Sequence, residues 1–190
     1  MSEDRFQNKY RIPSNRLRGW NYGCNANYFI TIVTFGREHL FGKIVNGEMI
    51  MNDIGKIVYA EFFKSFMMRV ELFLGEFVLM PNHLHTIVAL DNAKCDVVEM
   101  NQPFHRQSKS ISSFVAGFKS AVIKHVDDWI DLNNVAMRKF NKNNPLWQAN
   151  YYDHIIRNET EYRSISEYII NNPVKWEEDI MNNLIQTDRG

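Results

Sequence analysis

The chain has 190 residues, which is one domain by the usual prior and enough to bury a full core. With 45% hydrophobic and 13% aromatic residues it is well clear of disorder, and its formal net charge of zero, 22 basic against 22 acidic residues, does not advertise a nucleic-acid binder. No apolar run approaches the ~20 residues of a membrane span, and the polar first twenty residues are not a signal peptide, so a cytoplasmic protein is expected.

Two cysteines, Cys24 and Cys95, lie far apart and form no CxxC pair; the simplest expectation is two incidental thiols in a reducing compartment. Charge is segregated although it sums to zero. Basic residues gather in 1–20, with Arg16 and Arg18, and again in 101–147, with Lys119 and Lys124, while acid collects after Glu159. Such blocks can make a basic face on a neutral protein or be ordinary solvated surface.

In chain order, residues 1–27 read as a basic N-terminal arm with turn signals. Tyr28–Phe35 is a β-branched and aromatic run of strand length. Lys43–Met51 suits a hairpin centred on Asn46-Gly47, a type I′ signal. Asn52 or Asp53 can cap an amphipathic helix running to about Met68. Leu72–Met80 predicts a strand, broken or bent at Gly75, and His83–Leu90 predicts the next. Pro81-Asn82 between them predicts an antiparallel hairpin. Residues 91–109 read as a loop, Ser110–Ile130 as a second amphipathic helix, and Leu146–Ile156 as an aromatic strand. Asn158, with Glu161 three residues on, predicts a capped third helix to about Asn172, where Pro173 disfavours helical geometry. The segment 177–190 is expected to be an acidic peripheral tail. This order predicts one α+β domain over 1–190, an antiparallel sheet with helices on one face.

Chemistry concentrates at the hairpin. In a strand, side chains at i and i+2 share a face, so His83 and His85 sit together while Leu84 faces the core. Two imidazoles on one face can hold a metal with a third ligand or flank a phosphate; a lone H-x-H also suits a polar sheet edge. Tyr168 and Asn172, four apart, project from one face of the third helix. Asn172 offers a carbonyl oxygen that a hard cation accepts, and Tyr168 a phenol that can attack phosphorus once deprotonated. Glu76, Asp153 and His154 are competing ligands. Arg157, Lys119 and Lys124 can meet phosphate, and Trp147, Tyr151 and Tyr152 can stack bases. There is no P-loop, GxSxG, HExxH or dinucleotide fingerprint.

Taken together, Met80-Pro-Asn-His-Leu-His85, Leu146-Trp-Gln148, Tyr151-Tyr-Asp-His-Ile-Ile-Arg157 and Glu167-Tyr-Ile-Ile-Asn-Asn-Pro-Val-Lys175 resemble the single-tyrosine HUH transposases, and among them the REP-associated tyrosine transposases. Gly19-Trp20-Asn21-Tyr22, Tyr28-Phe-Ile-Thr31 and Leu40-Phe-Gly42 fit the same branch. The resemblance implies a ferredoxin-like core. It implies that His83 and His85 bind a divalent metal, Mg²⁺ or Mn²⁺, with Asn172 as third ligand, although relatives often carry Gln there. It implies Tyr168 as the nucleophile that forms a 5′-phosphotyrosine link on single-stranded DNA near hairpins and frees a 3′-OH. Arg16, Arg18, Lys119, Lys124 and Arg157 would contact that DNA, and the protein would act as a monomer or homodimer away from membranes. Two other readings stand beside it. One is a domesticated nicking or nucleic-acid-binding protein without mobility. The other is a metal-dependent phosphohydrolase that uses His83 and His85 with Asp153 or His154, Tyr168 being only packed.

Overall fold

The computed structural model describes residues 20–91, 108–179 and 181–182, together with the backbone of two short paired strands, β1 (Arg5–Phe6) and β2 (Lys9–Tyr10). Next in the chain come β3 (Ala26–Val33), the hairpin of β4 (Gly42–Val45) and β5 (Glu48–Met51), α1 (Asp53–Met67), β6 (Leu72–Leu79) and β7 (His83–Leu90). The chain continues with α2 (Ile111–Leu132), β8 (Tyr152–Ile156) and α3 (Glu159–Asn171), followed by a 3-10 turn at Trp176–Glu178. The central sheet has the order β6-β7-β3-β8 and every pairing in it is antiparallel. The expected α+β class holds.

Local chemistry sets most boundaries. Asn46 and Gly47 both take positive φ in the β4–β5 turn, as a type I′ hairpin requires. Asn52 caps α1 by accepting from the Gly55 N–H at 2.9 Å, and Ser110 caps α2 in a capping box with Ser113. Asn158 caps α3 by accepting from the Glu161 N–H, and such a cap contributes about 1 kcal/mol. The β6–β7 connection is tight: the Met80 N–H donates to His83 O at 2.8 Å across Pro81-Asn82.

Strand alternation divides the sheet into two unlike faces. Tyr28, Ile30 and Ile32 of β3 and Leu84, Val88 and Leu90 of β7 join the main core with Phe62 of α1 and Phe114 and Phe118 of α2. Residues of opposite parity, Phe29 and Ile87, join a small cluster with Ile156 and with Ile169, Tyr162 and Ile165 of α3. Helices on one face therefore describes α1 and α2, whereas α3 packs on the other. Gly75, at an irregularity in the β6–β7 register, makes that packing possible. A Cβ there would lie 2.9 Å from the Tyr162 hydroxyl and 3.0 Å from Ile87.

Three expectations change. Asn172 keeps helical dihedrals (φ −58°, ψ −43°) despite Pro173, because its N–H still donates to Ile169 O and its side chain is buried. Cys24 is disulfide-bonded rather than a thiol; Cys95 lies outside the described residues. Finally, the start of the acidic tail is not peripheral. Trp176, just before it, is buried, and within it Met181 O accepts from the Asn82 side chain at 2.6 Å. No helix among the described residues is long and apolar enough to cross a membrane.

Candidate functional site

The β6–β7 hairpin delivers His83 and His85 to the α3 face of the sheet, with ring centroids 4.5 Å apart and both side chains buried. Leu84 points into the main core, as alternation demands. Each imidazole is held through Nδ1. Asn82 Oδ1 lies 2.7 Å from His83 Nδ1, while Asn82 Nδ2 donates to the carbonyls of Arg37 and Met181. Those two carbonyls fix the amide orientation. His83 Nδ1 must therefore carry the proton, which leaves the lone pair on Nε2. His85 Nδ1 lies 2.8 Å from Thr31 Oγ1, its cross-strand neighbour in the register.

On the opposite side of the site, α3 presents Tyr168, whose Oη lies 3.2 Å from His85 Nε2. Phe29 stacks on His85 at 5.3 Å and meets the Tyr168 ring edge-on at 6.1 Å, so one ring orients both groups. Tyr168 is 46% exposed, accessible rather than packed away. Asn172, one turn on, donates from Nδ2 to Asp179 Oδ2 at 3.2 Å. Asp179 itself lies beside the histidines: one donor atom from each of His83, His85 and Asp179 falls within 4.8 Å of the others.

Electrostatics suit metal ligation. Burial lowers His83 to about 4; Asp179 opposes the shift, and Arg37 and His39 add to it. Burial, and then His83, pushes His85 well below the ordinary histidine value. Both rings are thus neutral near pH 7, the form that ligates. Burial and then the Asp179 charge raise the Tyr168 phenol, with Asn172 opposing. Two buried atoms here, His83 Nε2 and Asn172 Oδ1, have no hydrogen-bond partner among the described residues. Both are electron-pair donors, and each such orphan costs about 1–3 kcal/mol. Two imidazole nitrogens and one carboxylate oxygen within 4.8 Å of one another fit a divalent metal.

The structure brings together His83, His85, Tyr168 and Asn172, and it adds Asp179, which sequence reasoning missed. The available signal was Trp176, an aromatic just before the acidic tail, which here anchors the segment with its ring 6.0 Å from His83 and 5.4 Å from His39. The competing ligands stay apart. Asp153 pairs across from Ile30 on the opposite face of the sheet, and His154 is engaged with Glu161 at 2.7 Å. Glu76 is not in the cluster.

Among the described residues, the expected DNA contacts Lys119, Lys124 and Arg157 lie apart from one another. Arg16 and Arg18 lie outside the described residues. Lys119 is not free for phosphate: its Nζ donates to the carbonyls of Gln148 at 2.8 Å and Asn150 at 3.2 Å, and burial lowers its pKa to about 8. Lys124 is on α2, across the sheet, paired with Asp128 at 3.6 Å. Arg157 lines a groove with Trp20, Asn25, Ala26 and Asn27, at the other end of β3 from the histidines.

No family model matches the chain. An uncharacterized protein of Haemophilus influenzae is 39% identical over 173 residues, spanning 87% of this chain and 90% of that protein. Among solved structures, a REP-associated tyrosine transposase bound to a REP hairpin superposes with a TM-score of 0.56 at 19% identity, over 86% of this chain and 74% of that one. At that identity the likeness is one of fold.

Proposed function

We propose, for a chain that belongs to one family with the Haemophilus influenzae protein and has the fold of a REP-associated tyrosine transposase, that it cleaves and rejoins single-stranded DNA through Tyr168. The observation that carries this reading is the half-exposed Tyr168 side chain, whose hydroxyl lies 3.2 Å from His85 Nε2 beside a buried donor cluster. His83, His85, Asp179 and Asn172 would hold a divalent cation. When bound, that cation supplies Lewis-acid neutralisation of charge on the scissile phosphate. Imidazole nitrogens favour Mn²⁺ over Mg²⁺.

The residues' own work follows from their placement. Tyr168 Oη attacks phosphorus and the Oη–P bond forms. The P–O3′ bond breaks, the electron pair leaves with O3′, and O3′ takes up a proton to become a free 3′-OH. The phenol proton departs to water, to which the side chain is open. Because a phenolate is also a good leaving group, the 5′-phosphotyrosine link can be attacked in turn by a 3′-OH, so rejoining needs no ATP. Phe29 and Asn172 orient the nucleophile. All of these groups come from one chain, so a monomer suffices. The substrate would be DNA carrying hairpin repeats, handled in the cytoplasm by a single domain over 1–190.

The phosphohydrolase reading, in which Tyr168 is only packed, is disfavoured by the half-exposed Tyr168 side chain, whose hydroxyl meets His85 Nε2. Incubating the protein with single-stranded DNA and Mn²⁺ tests the proposal. A covalent protein–DNA band is expected from the native chain and none from Tyr168→Phe. Equal cleavage by the two would remove the tyrosine mechanism.

A further inference from the structure

A second feature opens directly from the Tyr168 site. A groove of about 410 Å³ runs over the α3 face of the sheet, walled by Phe29, Thr31 and Val33 of β3, by Gln148, Asn150 and Tyr152, and by His85 and Tyr168 at one end. Its size is that of a small-ligand site. The register builds it: Thr31 is the cross-strand neighbour of both His85 and Tyr152, so these three side chains form one row.

The chemistry of the lining is selective. Among the described residues no lysine or arginine lines it, so that lining is not one made to hold phosphate. It offers aromatic rings and amides instead. Tyr152 is 46% exposed, with its ring at 70° to Phe29 and 6.1 Å away. The side-chain amides of Gln148 and Asn150 point to a second kind of contact. Among the described residues neither has a hydrogen-bond partner, so both keep a free donor and acceptor.

The backbone that carries these amides is fixed in place. The Gln148 N–H donates to Val33 O at 2.9 Å, continuing the pairing at the end of β3. Lys119, half-buried beside the loop, donates to the Gln148 and Asn150 carbonyls at 2.8 and 3.2 Å. An ammonium spent on the carbonyls on either side of Ala149 makes Lys119 a positioning residue for this wall.

We infer that this groove receives one unstacked nucleobase of the DNA strand next to the scissile phosphate, stacked on Tyr152 and read at its edge by the Gln148 and Asn150 amides. The inference rests on the reading of Tyr168 as the residue that meets the scissile phosphate, since that is what places a base at the groove's mouth. Amide side chains present a donor and an acceptor side by side, which is how splayed single-stranded bases are discriminated. Stacking adds affinity without selecting among bases.

The test uses the full chain carrying Tyr168→Phe, so that binding is measured without cleavage. Fluorescence anisotropy with oligo-dA, oligo-dC, oligo-dG and oligo-dT is read in Mn²⁺ at one fixed salt concentration. One base should be preferred by about fivefold or more. Adding Gln148→Ala or Asn150→Ala should flatten the preference to within about twofold while weak binding to all four persists. Adding Tyr152→Ala should weaken all four together by about 5- to 100-fold, and Tyr152→Phe should restore them. Circular dichroism and melting establish that each variant is folded. No preference in the starting protein, or a preference untouched by both amide variants, overturns the pocket. Failure of the tyrosine mechanism reads out separately, as a native chain that forms no covalent band while the base preference and its dependence on Gln148 and Asn150 remain.

Discussion

The two faces of the central sheet are built to opposite rules. Beneath α1 and α2 lies a dense apolar core in which Phe62 stacks on Phe77 at 4.2 Å and meets Phe118 edge-on at 5.7 Å. Beneath α3 lies a cluster of three buried isoleucines, and beside it the polar groups His83, His85, Thr31 and Asn172 are buried as deeply as the core. The same strands serve both faces, because successive residues alternate. The lesson is that the first face supplies stability and the second is free to bury orphaned electron-pair donors, which cost free energy in the metal-free protein. Substitutions should therefore fail differently on the two sides.

The sharpest contrast is between loss of chemistry and loss of fold. Tyr168→Phe should reduce single-strand cleavage by on the order of 10⁴-fold or more, with denaturant unfolding moved by no more than about 1 kcal/mol. Phe62→Ala should do the reverse. It should cost about 3–5 kcal/mol in a urea titration while the folded fraction keeps its metal affinity and cleavage rate. If Phe62→Ala abolished cleavage under conditions where the protein is folded, the two faces would be coupled and the division drawn here would break.

Metal linkage comes next. Mn²⁺ at a hundred times its dissociation constant should stabilise the native chain by about 2.7 kcal/mol, read as a rise in melting temperature. His83→Ala and Asp179→Ala should each remove most of that rise, whereas Phe62→Ala should keep it. An Asp179→Ala protein with the full rise would reduce the donor set to the residues on β7 and α3.

Smaller still is the pH dependence of the metal-free protein. His83 has a folded value of about 4 against an unfolded value near 6.5, so between those pH values the unfolded chain binds the extra proton. Stability is fully present above about pH 6.5 and falls by on the order of 1.4 kcal/mol per unit as pH drops toward 4, with His85 acting in the same direction. Urea titrations from pH 7 to pH 4.5 read the slope. A profile flat across that range would mean the rings are open to solvent. The smallest effect belongs to the far side of the sheet: Lys124→Ala, exposed and paired with Asp128, should move stability by less than about 0.5 kcal/mol and leave oligonucleotide binding unchanged.

Much of this molecule is legible in local pattern. The β4–β5 turn, the caps at Asn52 and Asn158, and the irregularity at Gly75 are each readable within a few residues, because turn and cap chemistry acts over that range. Lys119 was misread for the same reason. Its charge is local information, but the carbonyls it meets belong to a loop 29 and 31 residues away.

The sequence by itself determined that His83 and His85 share a face and that Tyr168 and Asn172 share another, since these are consequences of the two-residue and four-residue periods of strand and helix. Only the tertiary structure decided that the two faces meet, across 83 residues from His85 to Tyr168, and that α3 takes the side of the sheet opposite α1 and α2. It alone brought Asp179 to the histidines, through the burial of Trp176 and the grip of Asn82 on Met181, 99 residues distant. Periodicity fixes which side chains point together along one element. Which elements then face each other depends on apolar surfaces finding partners over long stretches of chain, and no local pattern records that choice.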